Sequence, residues 1–201
     1  MKHNNPCGAA IHDNQLQAYI DARDCDPVSA FGGIVAFNKK VSKEVADEIS
    51  KTFIEVLIAP DYDYEALEIL SKKQNLRVLK SPEIVASSTK SKDIKKVVGG
   101  VLYQDSDDTS DEDFDDYKVA TKIEPTVDQI STLKLAWKIC KNVKSNSIVF
   151  ARDNKTVGIG AGQMNRVNSV QLATIKGEEH YGTEGSVLAS DAFFPFRDGI
   201  D

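Results

Sequence analysis

The chain has 201 residues, 41% of them hydrophobic and 28% charged, which is the balance of an ordinary globular protein with a core and not that of a disordered chain. Its net charge of −6 leaves no excess of Lys and Arg to displace phosphate counterions, so no nucleic-acid surface is expected and an anionic ligand needs a local basic pocket. Cys7, Cys25 and Cys140 form neither an even set nor a close pair, which argues against a disulfide framework or a zinc cluster and for reduced thiols in a cytoplasm. No signal-peptide run opens the chain, and no apolar stretch approaches the ~20 residues that span a bilayer, so no membrane partner is expected.

In chain order, Leu16, Tyr19, Ile20 and Arg23 recur at three-to-four spacing and predict a helix over 15–25, stopped by Pro27. Gly32 to Phe37 reads as a buried strand after paired glycines, and Ser42 with Val45, Ala46 and Ile49 predicts the next helix. A strand over 53–59 closed by Pro60, a helix over 63–71 and an extended segment over 76–79 follow. Between 105 and 116 acidic and small polar residues predict an exposed loop, because like charges resist compact packing and the glycine and glutamate of an EF-hand are out of register.

The second half restarts at Thr126 and Gln129, spaced as a capping box, with an apolar stripe of Val127, Ile130, Leu133, Trp137 and Cys140 expected to face the core. Residues 147–152 and 156–161 flank Asp153-Asn154 and predict a β-hairpin. A helix over 166–175 comes after it. Alternating strands and helices indicate an α/β fold, with 1–104 and 121–201 as two parts joined by 105–120.

Four segments hold residues that suit chemistry. In Lys2-His3-Asn4-Asn5-Pro6-Cys7-Gly8, an imidazole able to take a proton stands beside an ammonium able to stabilise an oxyanion, although a polar terminus explains the same letters. In a regular strand Lys2 and His3 would face opposite ways, so joint action requires the strand to end there. Ser145-Asn146-Ser147 offers polar groups at a helix-to-strand loop, where helix termination is the alternative. Gly158 to Arg166 resembles a dinucleotide fingerprint, but Gln163 and Asn165 stand where a third glycine belongs, which removes the case for a Rossmann oxidoreductase. What remains is a glycine-rich strand end with an arginine near a helix start, where an anion could bind. Ser190 to Gly199 sets three phenylalanines among two acids and an arginine, as a ring-stacking surface or a core cluster. His12 and His180 have no metal-ligand partners at usable spacing.

Taken together, residues 2–8, 26–33, 55–60, 144–147, 158–163 and 190–198 resemble, in order and from end to end, the AICAR formyltransferase domain of the bifunctional purine-biosynthetic enzymes that also carry IMP cyclohydrolase. The resemblance implies paired cytidine-deaminase-like α/β subdomains with mixed sheets, a homodimeric active site, and transfer of a formyl group from 10-formyltetrahydrofolate to the amine of AICAR ribonucleotide in IMP biosynthesis. By the same resemblance Lys2, His3 and Asn146 are catalytic, and Gly32, Glu55, Arg166, Phe193 and Asp198 bind substrate or folate. Ser145, Ser147 and Asp191 lie near a structural potassium ion. No zinc is implied, since no Cys-x-x-Cys is present. The family carries further segments on both sides of this region, so the chain reads as an incomplete fragment; the competing reading is a non-catalytic nucleotide-binding or scaffolding relative.

Overall fold

The computed structural model describes residues 1–82, 92–107, 114 and 116–201. Asn14 opens α1 (Gln15–Asp24) by accepting the Gln17 N–H on its side chain. Pro27 both stops this helix and starts the next, because Asp26 caps the short α2 (Pro27–Ala30) and proline at a first helical position forfeits no hydrogen bond. Then come β1 (Gly33–Ala36), α3 (Lys43–Ile49), β2 (Ile54–Ala59), α4 (Tyr64–Leu70) and β3 (Arg77–Lys80). The three strands pair in parallel in the order β1-β2-β3, and parallel neighbours need crossovers, which α3 and α4 supply.

A hairpin of β4 (Lys92–Val97) and β5 (Gly100–Asp105) follows, turning at Val98 and Gly99, whose φ of +82° suits glycine. Nothing in the reading above anticipated it. Of the acidic loop expected over 105–116, residues 108–113 and 115 lie outside the described residues, and Asp105 itself ends β5 and pairs with Lys92.

The second sheet is built from β6 (Ile148–Arg152), β7 (Lys155–Gly160) and β8 (Val187–Ser190), antiparallel in the order β7-β6-β8. Asp153 and Asn154 turn the β6–β7 hairpin with φ of 51° and 56°. Helix α5 (Val127–Lys141) starts on the expected capping box, and of its expected stripe Cys140 is buried and Ile130 and Leu133 are half-buried, but Val127 and Trp137 are not. Val127 is 82% and Trp137 48% exposed, while Thr132, Leu135, Ala136 and Cys140 are buried. The buried face is therefore shifted from the apolar letters, taking in Thr132, Leu135 and Ala136 beside Cys140 and leaving the Trp137 indole about half exposed. Helix α6 (Arg166–His180), capped by Asn165, runs one turn beyond its expected end.

Two buried clusters result. One gathers Tyr19, Val41, Ile49, Leu57 and Leu70 around the parallel sheet; the other gathers Ala136, Cys140, Val149 and Ile159 around the antiparallel sheet and includes Cys25 from the first half of the chain. Gly158 and Gly160 face α6, where an added Cβ would lie 2.0 Å from Ala173 O and 1.9 Å from Ser169 O. Ile159 between them packs with Ala136 and Cys140 of α5, so the two helices cover opposite faces. These glycines thus serve helix-to-strand packing, which corrects their reading as an anion cradle.

Gly158→Ala should accordingly lower stability by about 1–3 kcal/mol, the cost of overpacking a tight contact. The check is the urea midpoint at unchanged slope; an unaltered midpoint would mean that α6 is not so closely seated.

Candidate active site

The opening segment spans both sheets. At one end Ile34 N–H donates to Met1 O at 2.9 Å, beside β1. At the other, Thr156 N–H donates to Ala9 O at 2.9 Å and Ile11 N–H to Asn154 O at 2.8 Å, along the free edge of β7. Between these anchors the chain reverses in a tight turn: Lys2 and Asn5 exchange backbone hydrogen bonds of 2.8 and 2.9 Å, and His3 and Asn4 take left-handed φ values of 49° and 62°. The strand does end here, as joint action of Lys2 and His3 requires.

Lys2 reaches back to the loop before β1, where its Nζ donates to Phe31 O at 2.6 Å and would lie 3.0 Å from a Cβ added at Gly32. Glycine at 32 is needed twice over, by this approach and by its φ of +66°. Gly32 N–H donates to Phe53 O, and the Phe31 and Phe53 rings meet at 5.4 Å. Glu55 is exposed on β2, at the irregularity where pairing shifts between Gly33 and Ile34. Sequence reasoning gave Phe31 and Phe53 no role; their exposure beside a lysine is visible only in the fold.

The second group gathers after α5. The Ser145–Asn146 peptide is cis. Asn146 donates from both its backbone N–H and its Nδ2 to Gln163 O, at 3.2 and 2.7 Å, and its carbonyl accepts the buried Ser169 hydroxyl at 2.7 Å. Among the described residues no donor meets its Oδ1. Asp191, after β8, accepts Ser147 N–H at 3.0 Å, and the Arg166 guanidinium pairs with it while donating to Ser190 Oγ at 2.8 Å. Partial burial alone would raise the Asp191 carboxyl, but hydrogen bonds from Ser145, Arg166 and Ser147 outweigh it and hold the group below the usual carboxylate range.

Ser145, Ser147 and Asp191 therefore do come together. The carboxylate is already neutralised by Arg166, and the Ser147 hydroxyl, fully buried, turns to Cys140, donating to its carbonyl at 3.1 Å. Phe193 and Phe196 are 80% and 73% exposed, so they are surface rings and not a core cluster. Asp198 lies exposed on a turn after them. No hydrogen bond, ion pair or ring contact joins Phe193 or Asp198 to Lys2, His3 or Asn146 among the described residues. Burial pushes the Cys25 thiol up to about 12 and raises Cys140 as well, which suits neither to act as a thiolate.

Because the Asp191 carboxyl is depressed in the folded chain, its contacts contribute stability that is present above the unfolded value of about 3.9 and is lost as the pH falls through and below it. Denaturation midpoints followed from about pH 6 to about pH 3 should drop more steeply for the unaltered chain than for Asp191→Asn. Parallel curves would remove Asp191 from the linkage.

Comparison with known proteins places this geometry in context. A family model described as AICARFT/IMPCHase bienzyme matches residues 1–176. Proteins called "Bifunctional purine biosynthesis protein PurH" are similar over the whole chain: 48% identity for that of Magnetococcus marinus, 48% for Aquifex aeolicus and 50% for Thermoanaerobacter sp.. The chain spans 40%, 38% and 38% of the length of these relatives.

Proposed function

Since the chain belongs to the AICARFT/IMPCHase bienzyme family, we propose that it carries the formyl-transfer site of a purine-biosynthetic enzyme, moving a formyl group from 10-formyltetrahydrofolate to the amine of AICAR ribonucleotide. In this reading it works within a longer cytoplasmic polypeptide that also has IMP cyclohydrolase activity. Residues 1–104 and 121–201 act as two parts of one unit joined through 105–120. The observation that carries the proposal is the left-handed turn that holds Lys2 at Gly32 and, through Asn5, meets the loop bearing Asn146.

The substrate amine is a weak nucleophile because its lone pair is delocalised into the imidazole ring, so removal of a proton as it attacks lowers the barrier. A bond forms from the amine nitrogen to the formyl carbon, and the bond from that carbon to the folate nitrogen breaks. The proton leaves the amine to His3 and is passed on to the departing nitrogen. Lys2 spends one ammonium hydrogen on Phe31 O and keeps two for the tetrahedral oxyanion. Asn146 Oδ1 orients the amine. Arg166 uses Nη1 on Ser190 and Asp191, leaving its other donors for an anionic or polar group of the ribonucleotide. Gly32 lines the nucleotide side, Glu55 contacts the ligand, Phe193 binds substrate and Asp198 lies on the folate side. The exposed Phe193 and Phe196 rings, with no hydrogen bond, ion pair or ring contact among the described residues between Phe193 or Asp198 and the Lys2 turn, favour a homodimer in which a second copy completes the site.

In a polypeptide of the relatives' full length carrying this sequence, His3→Ala should lower kcat by ~10²-fold or more with a smaller change in KM for the ribonucleotide. Lys2→Ala should lower kcat by roughly 10²–10³-fold, as loss of an oxyanion donor does. Arg166→Ala should instead raise KM, because it binds ground and transition states alike. A His3→Ala protein with near-normal kcat would move the proton transfer elsewhere, and the absence of any turnover in the unaltered protein would leave it a non-catalytic relative.

A further inference from the structure

The His3 imidazole is exposed and meets no partner among the described residues, so its orientation is inherited from the turn that holds it. That turn is tied to the Asn146 loop by one side chain. Asn5, half-buried, closes the turn with its backbone and sends its Oδ1 across to the second sheet, where it accepts the Lys144 N–H at 2.9 Å. Lys144 O in turn accepts the Gly162 N–H at 2.8 Å, and Asn146, two residues on, is held to Gln163 and Ser169. The fold does not need this side-chain bond to keep the opening segment in place, because the segment is already anchored at Ile34 and at Thr156. What the bond sets is the placement of the two-residue reversal between those anchors.

We propose, on the reading of function given above, that Asn5 is a positioning residue for formyl transfer: its Oδ1 bond to Lys144 N–H fixes His3 relative to Asn146, while Lys2 is held separately on Phe31 O. The bond is short in reach and joins two otherwise separate loops, so its loss lets the imidazole drift while leaving the binding groups where they are. Displacements near 1 Å at a reacting group cost up to roughly 10²-fold in rate.

The test is made in the full-length polypeptide. Asn5→Ala should lower kcat about 10- to 100-fold with KM for the ribonucleotide within about 3-fold. Asn5→Asp keeps an acceptor of the same shape and should recover most of the loss. Asn5→Ser, too short to reach Lys144, replaces the alanine variant if that does not fold. In a His3→Ala background the further Asn5→Ala change should cost little, since a positioning effect exerted through His3 vanishes once the imidazole is gone. Equal losses in both backgrounds, an Asn5→Asp protein as impaired as Asn5→Ala, or normal turnover by Asn5→Ala beside an impaired His3→Ala would each overturn this inference alone. A near-normal His3→Ala would move the proton transfer elsewhere and overturn this inference with it, whereas no turnover by the unaltered polypeptide would overturn the functional reading.

Discussion

Residues Met1 to Ile11 hydrogen-bond to two different sheets, and the geometry of the site depends on that double anchorage. A segment held at the edge of β1 and again at the edge of β7 has little room between its ends, and it takes up the slack by reversing through His3 and Asn4. Left-handed backbone costs a residue with a side chain about 1–2 kcal/mol, so two such residues in a row persist only where surrounding bonds over-determine them. Here the reciprocal Lys2–Asn5 bonds, the Lys2 ammonium on Phe31 O and the Asn5 amide on Lys144 supply that determination. The outcome is a cation and an imidazole on one reversal, between its anchors on β1 and on β7.

Charge pairing holds the same seam closed farther along. Asp26 caps α2, accepts from Ser29 and pairs with Lys176 of α6, while Asp21 of α1 pairs with Lys155 at 3.3 Å and Lys155 stands 4.6 Å from the Tyr181 ring centroid. Desolvation alone would raise the Asp26 carboxyl, but the Lys176 and Ser29 hydrogen bonds hold it below the usual range. With Cys25 packed among Ala136 and Cys140, these contacts bring the C-terminal end of α1 into the second half's core. An acidic chain thus carries its local positive groups where the two sheets meet, with Arg166 partly offset by Asp191 and Lys2 directed at a carbonyl.

Most regular elements were legible because each carries its signal locally: Ser42 and Thr126 as caps, Asp153-Asn154 as a turn, β-branched runs as strands. What failed was long-range. Val127 and Trp137 of the α5 stripe were misplaced, though Cys140 was not, because which face is buried depends on the partner sheet. Gly158 and Gly160 looked like an anion loop because the same residue type serves close helix packing, and only the 1.9–2.0 Å clearances tell the two apart. The β4–β5 hairpin had a signal in Gly99-Gly100 that went unread. At the site, Lys2, His3 and Asn146 could be named from motifs, whereas Asn5, Phe31 and Phe53 act through contacts between segments that are distant in sequence.

The central claim is that the Lys2–Asn5 turn and the Lys144–Asn146 loop form one ligand site. Hydrogen–deuterium exchange of the full-length polypeptide, read peptide by peptide with and without saturating AICAR ribonucleotide, tests it most directly. The account predicts slower exchange in both segments together, 1–11 and 143–166, on addition of the ribonucleotide alone. Tight binding of the ribonucleotide with protection of only one segment, or of neither, would contradict it.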